Sequence, residues 1–359
     1  MVKIGIVSNF ETFDDSPDRA SGGGTHITIM AKKWKGMGED IRFFGRRTEF
    51  SLWSNFVGLL EILFDKSTRD NKADFDVLLA ASPYPLDFVS FLKIIGKKYR
   101  RGCVYFHHLP PPPWWKPLRR GLMISLLNYF YFHTVLIVCK ILGIAVFLGN
   151  PGSYRIGRTK LLKAEEAVTK KEPFHCTEGK DVDVFFIGRI QKSKGVIDLV
   201  RALYRLRTKG CNLETVIAGP FSDRRYYSKI RRLIIKKNIE NIKFLGKISE
   251  DEKMDYFCRS KIFVFPSYVE GWSLSVMEAA SYRIPIVAYD LSAYFYLENN
   301  FMRVTPGRID DLASAIEWAI KNSESVNGMA CMAEGLVEKY NYDEIARNQL
   351  GIFYSMLKE

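Results

Sequence analysis

Two common phosphate-binding signatures are missing from this chain of 359 residues: it has no G-x-G-x-x-G and no P-loop lysine. The plain dinucleotide fingerprint and the P-loop nucleotidases are therefore poor matches. Cysteine is sparse, and the six residues (Cys103, Cys139, Cys176, Cys211, Cys258, Cys331) lie far apart with no C-x-x-C pair. No secretory leader stands before the first strand, so free thiols in a reducing cytoplasm are expected. Acidic metal motifs are scarce too. Asp74 with Asp76, and Asp181 with Asp183, imitate a D-x-D, but each stands where a strand begins, the wrong end for an α/β site.

Basic charge is plentiful. The formal net charge is +13, and residues 1–170 hold 25 Lys and Arg against 15 Asp and Glu. Phosphorylated substrates, anionic membrane, nucleic acid or simple solubility would each account for that bias. A composition 47% hydrophobic and 14% aromatic is that of an ordinary globular chain, and its length suggests two domains.

The first half opens with a short apolar run, Lys3 to Ser8, and a polar loop ending in Ser21 and Gly22, Gly23, Gly24. A helical pattern from Thr25 to Gly38 and a strand at Ile41 to Phe44 complete a βαβ unit with a glycine-rich crossover. Such glycines let backbone amides approach a diphosphate, and they equally make a flexible loop. Strands follow at Asp76 to Ala81 and from Cys103, the second ending in His107 and His108. A stiff Pro-rich loop with Trp114 and Trp115 comes next, either an acceptor wall or an anchor on the core. Gly121 to Leu148 is the most apolar stretch. Asn128, His133 and Lys140 interrupt it and Gly143 divides it, so a helix followed by a strand is favoured over a membrane span.

The second half repeats the strand and helix order. Val182 to Ile187 leads into Gly188, Arg189, Lys194 and Gly195, and then a helix from Val196 to Thr208. The stretch Phe263 to Ala288 reads as strand, tight loop, helix and strand, with Glu270 and Glu278 flanking a helix N-terminus that Ser273 or Ser275 is placed to cap. Unpaired amides there suit an anion, and the two carboxylates suit sugar hydroxyls. A phosphorylated sugar meets both demands.

Taken together, these pieces resemble the retaining GT-B glycosyltransferases, in particular family four. The resemblance rests on Ser21–Gly24 before the first helix, His107 in FHHLP, Gly188 and Arg189 with Lys194 and Gly195, Phe244 and Gly246, and the run from Glu270 to Glu278. It implies an α/β fold of two Rossmann-like doubly wound domains facing a cleft: residues 1–165, a linker at 166–180, residues 181–340, and a last helix at 341–359 packing back on the first domain. It also implies a metal-independent hexosyltransferase with no cofactor beyond the nucleotide sugar.

In that family pattern Arg189, Lys194, Glu270 and His107 are catalytic. Gly22, Gly23, Gly24, Phe244, Gly246, Gly271, Trp272, Ser273, Leu274 and Glu278 hold the donor, and His108, Trp114 and Trp115 are acceptor candidates. The expected partners are a nucleotide sugar, a glycan or polyprenyl- or lipid-linked acceptor, and the cytoplasmic face of an anionic membrane, but no nucleic acid. Three departures stand out: His108 after His107, Trp272 in place of the usual Phe, and FHCTEGKD near the junction where N-G-V-D is usual. A nucleotide-sugar epimerase or hydrolase of similar architecture and, more remotely, a nucleic-acid-binding protein are the competing readings.

Overall fold

The computed structural model describes residues 1–8, 22–44, 75–96, 98–106, 122–148, 161–163, 179–221 and 223–358. His107, His108, Trp114 and Trp115 lie outside that set. The chain divides into two units, one formed by the described residues of 1–113, 121–167 and 340–359, the other by those of 168–339.

In the first unit, β1 (Lys3–Val7), β2 (Asp40–Phe44), β3 (Val77–Ala80), β4 (Gly102–Phe106), β5 (Ala145–Leu148) and β6 (Leu161–Lys163) form a parallel sheet in the order β2-β1-β3-β4-β5-β6. Its strands are near-continuous apolar runs because helices cover both faces of a parallel sheet. The helices are α1 (Gly22–Gly36), α2 (Pro85–Ile95) and α3 (Leu122–Leu142). Helix α1 starts at Gly22, three residues before the apolar periodicity does, so Gly22–Gly24 form its first turn, whose amides have no intrahelical partner. Residues 122–148 form the expected helix and strand, with Gly143 between them in the left-handed region (φ 70°).

The second unit holds β7 (Val182–Ile187), β8 (Thr215–Ala218), β9 (Ile242–Gly246), β10 (Ser260–Phe265), β11 (Ile286–Tyr289) and β12 (Met302–Val304), parallel in the order β12-β11-β10-β7-β8-β9. Its helices are α4 (Val196–Arg207), α5 (Arg224–Lys236), α6 (Glu250–Arg259), α7 (Leu274–Ser281), α8 (Ile309–Lys321) and α9 (Ser323–Val337). The chain runs outward from β7 through β8 to β9, then returns to lay β10 on the other side of β7. Strand order thus reverses between β7 and β10, and the loops leaving those two strands border the crevice where open α/β sheets bind ligands. Aromatic pairs weld this centre: Phe186 stacks on Phe265 at 5.5 Å and Phe185 meets Phe263 at 6.2 Å.

The last helix, α10 (Tyr342–Lys358), belongs to the first unit. Trp34 of α1 donates to the Ala346 carbonyl at 3.3 Å and meets Phe353 edge-on at 5.3 Å. Gln349 donates to the buried Tyr105 hydroxyl at 3.2 Å, which also lies 3.0 Å from Nε2 of His26. Cys103, Cys139, Cys211 and Cys331 are free thiols. Cys258 is not: it is disulfide-bonded, a correction to the expectation of free thiols throughout, which rested on spacing along the chain and not on proximity in the fold.

Candidate active site

The geometry of the site begins with two glycines. Gly195 has φ 66°, and a Cβ built on it would stand 1.9 Å from the Pro266 carbonyl oxygen; one on Gly219 (φ 125°) would stand 2.0 Å from the Gly188 oxygen. Only glycine permits both the left-handed backbone and such close approach. The first contact seats the loop after β7 on the loop after β10. The second brings the end of β8 against that of β7, where Ile190 N–H also donates to the Pro220 carbonyl at 2.9 Å.

Hydrogen bonds then join the two loops. Tyr268 N–H donates to the Ser193 carbonyl at 2.8 Å, and the Ser267 hydroxyl reaches the same oxygen at 3.2 Å. Across this seam the Lys194 ammonium forms an ion pair with the Glu270 carboxylate, whose Oε1 also lies 2.5 Å from the Ser267 hydroxyl. The two charged side chains are only 13% and 9% exposed, so the pair sits in a partly desolvated place where charge is felt strongly. The Lys194 Nζ also lies 5.2 Å above the Phe265 ring. Arg189, one residue beyond Gly188, is exposed.

Behind the seam stands Asp198, buried in the first turn of α4. It accepts from the Tyr268 hydroxyl at 2.5 Å and from that of Tyr289 at 3.0 Å. One carboxylate therefore holds the loop after β10 and the end of β11 to the helix that follows Lys194. Burial, together with that carboxylate, raises both tyrosines above the ordinary phenol value. The sequence carried one sign of this residue, an acid three positions past Gly195 at a helix start.

The turn from Glu270 into α7 differs from its expected form. Ser273 occupies the N-cap position but sits in the left-handed region (φ 69°) and makes no side-chain cap bond; its Oγ is buried. The Val276 and Met277 amides bond the Ser273 carbonyl at 3.2 Å, and no serine side chain caps the turn ahead of them, which leaves that end suited to an anion. Trp272 is 1% exposed, stacks on Tyr296 at 5.3 Å and donates its indole N–H to Met277 Sδ. Its ring is committed to the core, so any contact it makes with a ligand passes through its backbone. The Tyr296 hydroxyl donates to the Trp272 carbonyl at 3.0 Å and fixes the turn from beneath. Burial, then the Glu270 carboxylate, raises the nearby Tyr294 phenol well above its usual value.

Glu278, a turn along α7, pairs with Lys253 of α6 at 2.8 Å, and Lys253 also meets Glu250 at 2.7 Å. Burial works to lower the Lys253 pKa, but the Glu278 and Glu250 carboxylates outweigh it and hold the value above that of an ordinary lysine. Phe244 packs with Phe221 (6.5 Å) and Tyr227 (5.6 Å) at the ends of β8 and β9, beside Gly246. Asp181 and Asp183 stand at the start of β7, paired with Arg259 at 2.5 Å and Lys261 at 2.7 Å. The structure thus brings Lys194, Ser267 and Glu270 into contact and places Gly271, Trp272, Ser273, Leu274 and Glu278 along one turn and helix. Gly22–Gly24 lie in the other unit.

Residues 169–334 match the family model described as Glycosyl transferases group 1. Among curated proteins, the chain is 25% identical over 199 residues to the alpha-galactosylglucosyldiacylglycerol synthase of Streptococcus pneumoniae, a match covering 54% of this chain and 50% of that one. The chain spans about half the length of the curated relatives it matches, or less. Sucrose-phosphate synthase from Thermosynechococcus elongatus superposes with TM-score 0.76 at 17% identity, covering 99% of both chains. Anabaena Alr3699/HepE in complex with UDP and glucose gives TM-score 0.71 at 16% identity, covering 99% of this chain and 100% of that one. At those identities the likeness shows the fold, which is GT-B, built from two Rossmann-like α/β units.

Proposed function

We propose that this chain, whose residues 169–334 match the glycosyl transferases group 1 model, moves a hexose or related sugar from a UDP- or GDP-activated donor to a hydroxyl of a glycan or lipid-linked glycan. Configuration at the anomeric carbon is retained and no metal takes part. The observation that carries the reading is the Lys194–Glu270 pair at the strand-order reversal, with Ser267 on the same carboxylate and the uncapped N-terminus of α7 beside it.

The chemistry follows from charge. As the bond from the sugar to the diphosphate breaks, negative charge builds on the leaving oxygen, and Arg189 as a planar fork with Lys194 as a point charge neutralises it. Amides at the start of α7 add fixed dipoles that need no reorganisation. The acceptor oxygen bonds to the anomeric carbon on the face the phosphate leaves, and the departing phosphate oxygen takes the acceptor's proton. Glu270 serves the sugar and Glu278, oriented by Lys253, the ribose. His107 is assigned to the donor sugar, and His108, Trp114 and Trp115 to the acceptor, on the motif alone.

The Streptococcus relative is by name a synthase of a glycosylated diacylglycerol, and the Anabaena neighbour was solved with UDP and glucose. Those names support a uridine nucleotide sugar and a lipid-linked acceptor. The test is a thermal-shift screen of UDP-, GDP- and ADP-sugars, then product analysis with the stabilising donor. Product that depends on acceptor and keeps the donor's anomeric configuration is expected; hydrolysis or epimerisation with no acceptor dependence overturns the reading.

A further inference from the structure

We propose that the outer face of α3 (Leu122–Leu142) docks on an anionic lipid bilayer, the helix lying in the plane of the interface. Four large apolar side chains stand out from it: Leu127 is 64% exposed, Phe130 62%, Ile137 56% and Ile141 76%. At 3.6 residues per turn they and Thr134 fall within an arc of about 80° and run about 21 Å along the axis. The opposite arc, with Phe132, Val135, Leu136 and Cys139, is buried in the core of the first unit. Helix α3 is therefore apolar toward the core and apolar again toward the outside. Thr134, the polar member of the outer arc, bonds its hydroxyl back to the Phe130 carbonyl at 2.9 Å, so contact with lipid leaves no hydroxyl stranded.

Charge selects the occupant. Residues 88–164 contain thirteen Lys and Arg and no Asp or Glu, a count equal to the formal net charge of the entire chain. Helix α3 lies within that segment and carries no acid. Exposed Lys140 stands in its last turn, and at its C-terminal end the Arg100 Cγ is 4.0 Å from where a Cβ on Gly143 would stand. An exposed apolar stripe edged by cations suits an anionic interface, where each basic side chain near the surface adds about 1 kcal/mol and the apolar ones enter the acyl boundary. Among the described residues no helix is long and apolar enough to cross a membrane, and the inner arc of α3 is committed to the core; the helix lies on the bilayer. This inference names the membrane partner of the function proposed above and rests on that reading only for the class of acceptor.

Co-sedimentation of the full chain with vesicles tests it, with no sugar donor present. Wild type is expected to bind phosphatidylcholine vesicles containing phosphatidylglycerol, and Leu127→Ser/Phe130→Ser/Ile137→Ser/Ile141→Ser to bind them at least about tenfold less. The single variant Ile141→Ser, at the most exposed position, guards against misfolding of the fourfold one and should show a smaller loss. Arg100→Gln should lose about fivefold on anionic vesicles and nothing on neutral ones. No binding by wild type, equal binding by the fourfold variant, or a wild-type dimer that the fourfold variant turns into a monomer would each overturn the proposal. Transfer to a soluble acceptor, assayed separately, distinguishes failure of this inference from failure of the transferase reading.

Discussion

The ammonium of Lys194 and the carboxylate of Glu270 are ion-paired across 76 positions of sequence, each largely withdrawn from water. If Lys194 serves a diphosphate as proposed, its charge is already engaged before a ligand arrives. Removing the carboxylate charge with Glu270→Gln should then lower transfer by about 10²-fold or more while leaving UDP affinity unchanged or tighter. Lys194→Ala should weaken both. Calorimetric titration with UDP beside initial rates separates the two, and a Glu270→Gln protein that binds UDP poorly but transfers at the wild-type rate contradicts the assignment.

Arg189→Ala removes a guanidinium from an exposed position. Its melting midpoint should stay at the wild-type value while transfer falls by about 10²-fold or more if, as proposed, the charge acts on a leaving group and not on the fold. Wild-type turnover by this variant would remove Arg189 from the mechanism.

Gly195→Ala is expected to be worse than a surface change of one methyl group has any reason to be. The left-handed backbone costs an alanine roughly 1–2 kcal/mol, and the new carbon meets the Pro266 carbonyl, so the two loops must part. A lowered melting midpoint together with lost donor binding is the expected result. Wild-type behaviour in both measurements would show that the seam tolerates opening.

If Glu278 holds a ribose, its partner Lys253 should matter to nucleotide binding without touching it. Glu278→Ala should erase the preference for UDP over a nucleotide lacking the ribose hydroxyls, and Lys253→Met should reduce that preference partially. The pH behaviour has a definite sign. A lysine whose folded pKa is raised contributes stability that is fully present below its unfolded value of about 10.4 and is lost only as pH rises through the folded one. The melting difference between wild type and Lys253→Met should accordingly stay constant from about pH 6 to 9, and a difference that vanishes inside that range would refute the raised value.

Asp198→Ala leaves the Tyr268 and Tyr289 hydroxyls without their shared acceptor, at an expected cost of about 1–3 kcal/mol read by chemical denaturation. Tyr268→Phe, which removes one donor and keeps the other, should cost less. Equal stability of Asp198→Ala and wild type would mean that the loop after β10 is held by its backbone contacts alone.

Much of the fold could be read from the chain because buried parallel strands announce themselves. Runs such as Ile286–Tyr289, and Val182–Ile187 but for Asp183, are apolar on both faces and bounded by glycine, proline or charge. Helix α9 escaped notice: its buried stripe is Val326, Ala330, Ala333 and Val337, small residues of weak hydrophobic contrast, and Gly328 and Gly335 lower its propensity. The three-residue strands β6 and β12 are too short to carry a period. At the site, motif order pointed to Lys194 and Glu270, but nothing local announced their pairing, nor Lys253 beside Glu278, nor Asp198 behind the loops. Those contacts exist only once β7 and β10 lie side by side. Ser273 shows the opposite limit, a residue of good capping chemistry whose backbone was turned away from capping by the turn that presents it.

Helix α10 completes the first unit, yet it is made only after the second unit. A ribosome finishes the strands around β1, then all of residues 168–339, before Trp34 can meet Ala346 and Phe353. The described residues of the second unit fall in one span, 168–339, free to settle as it emerges, whereas the first must wait with one flank of its core open. A stop codon near residue 340 would therefore leave the second unit whole and do its damage at the beginning of the chain, in the half that was synthesised first.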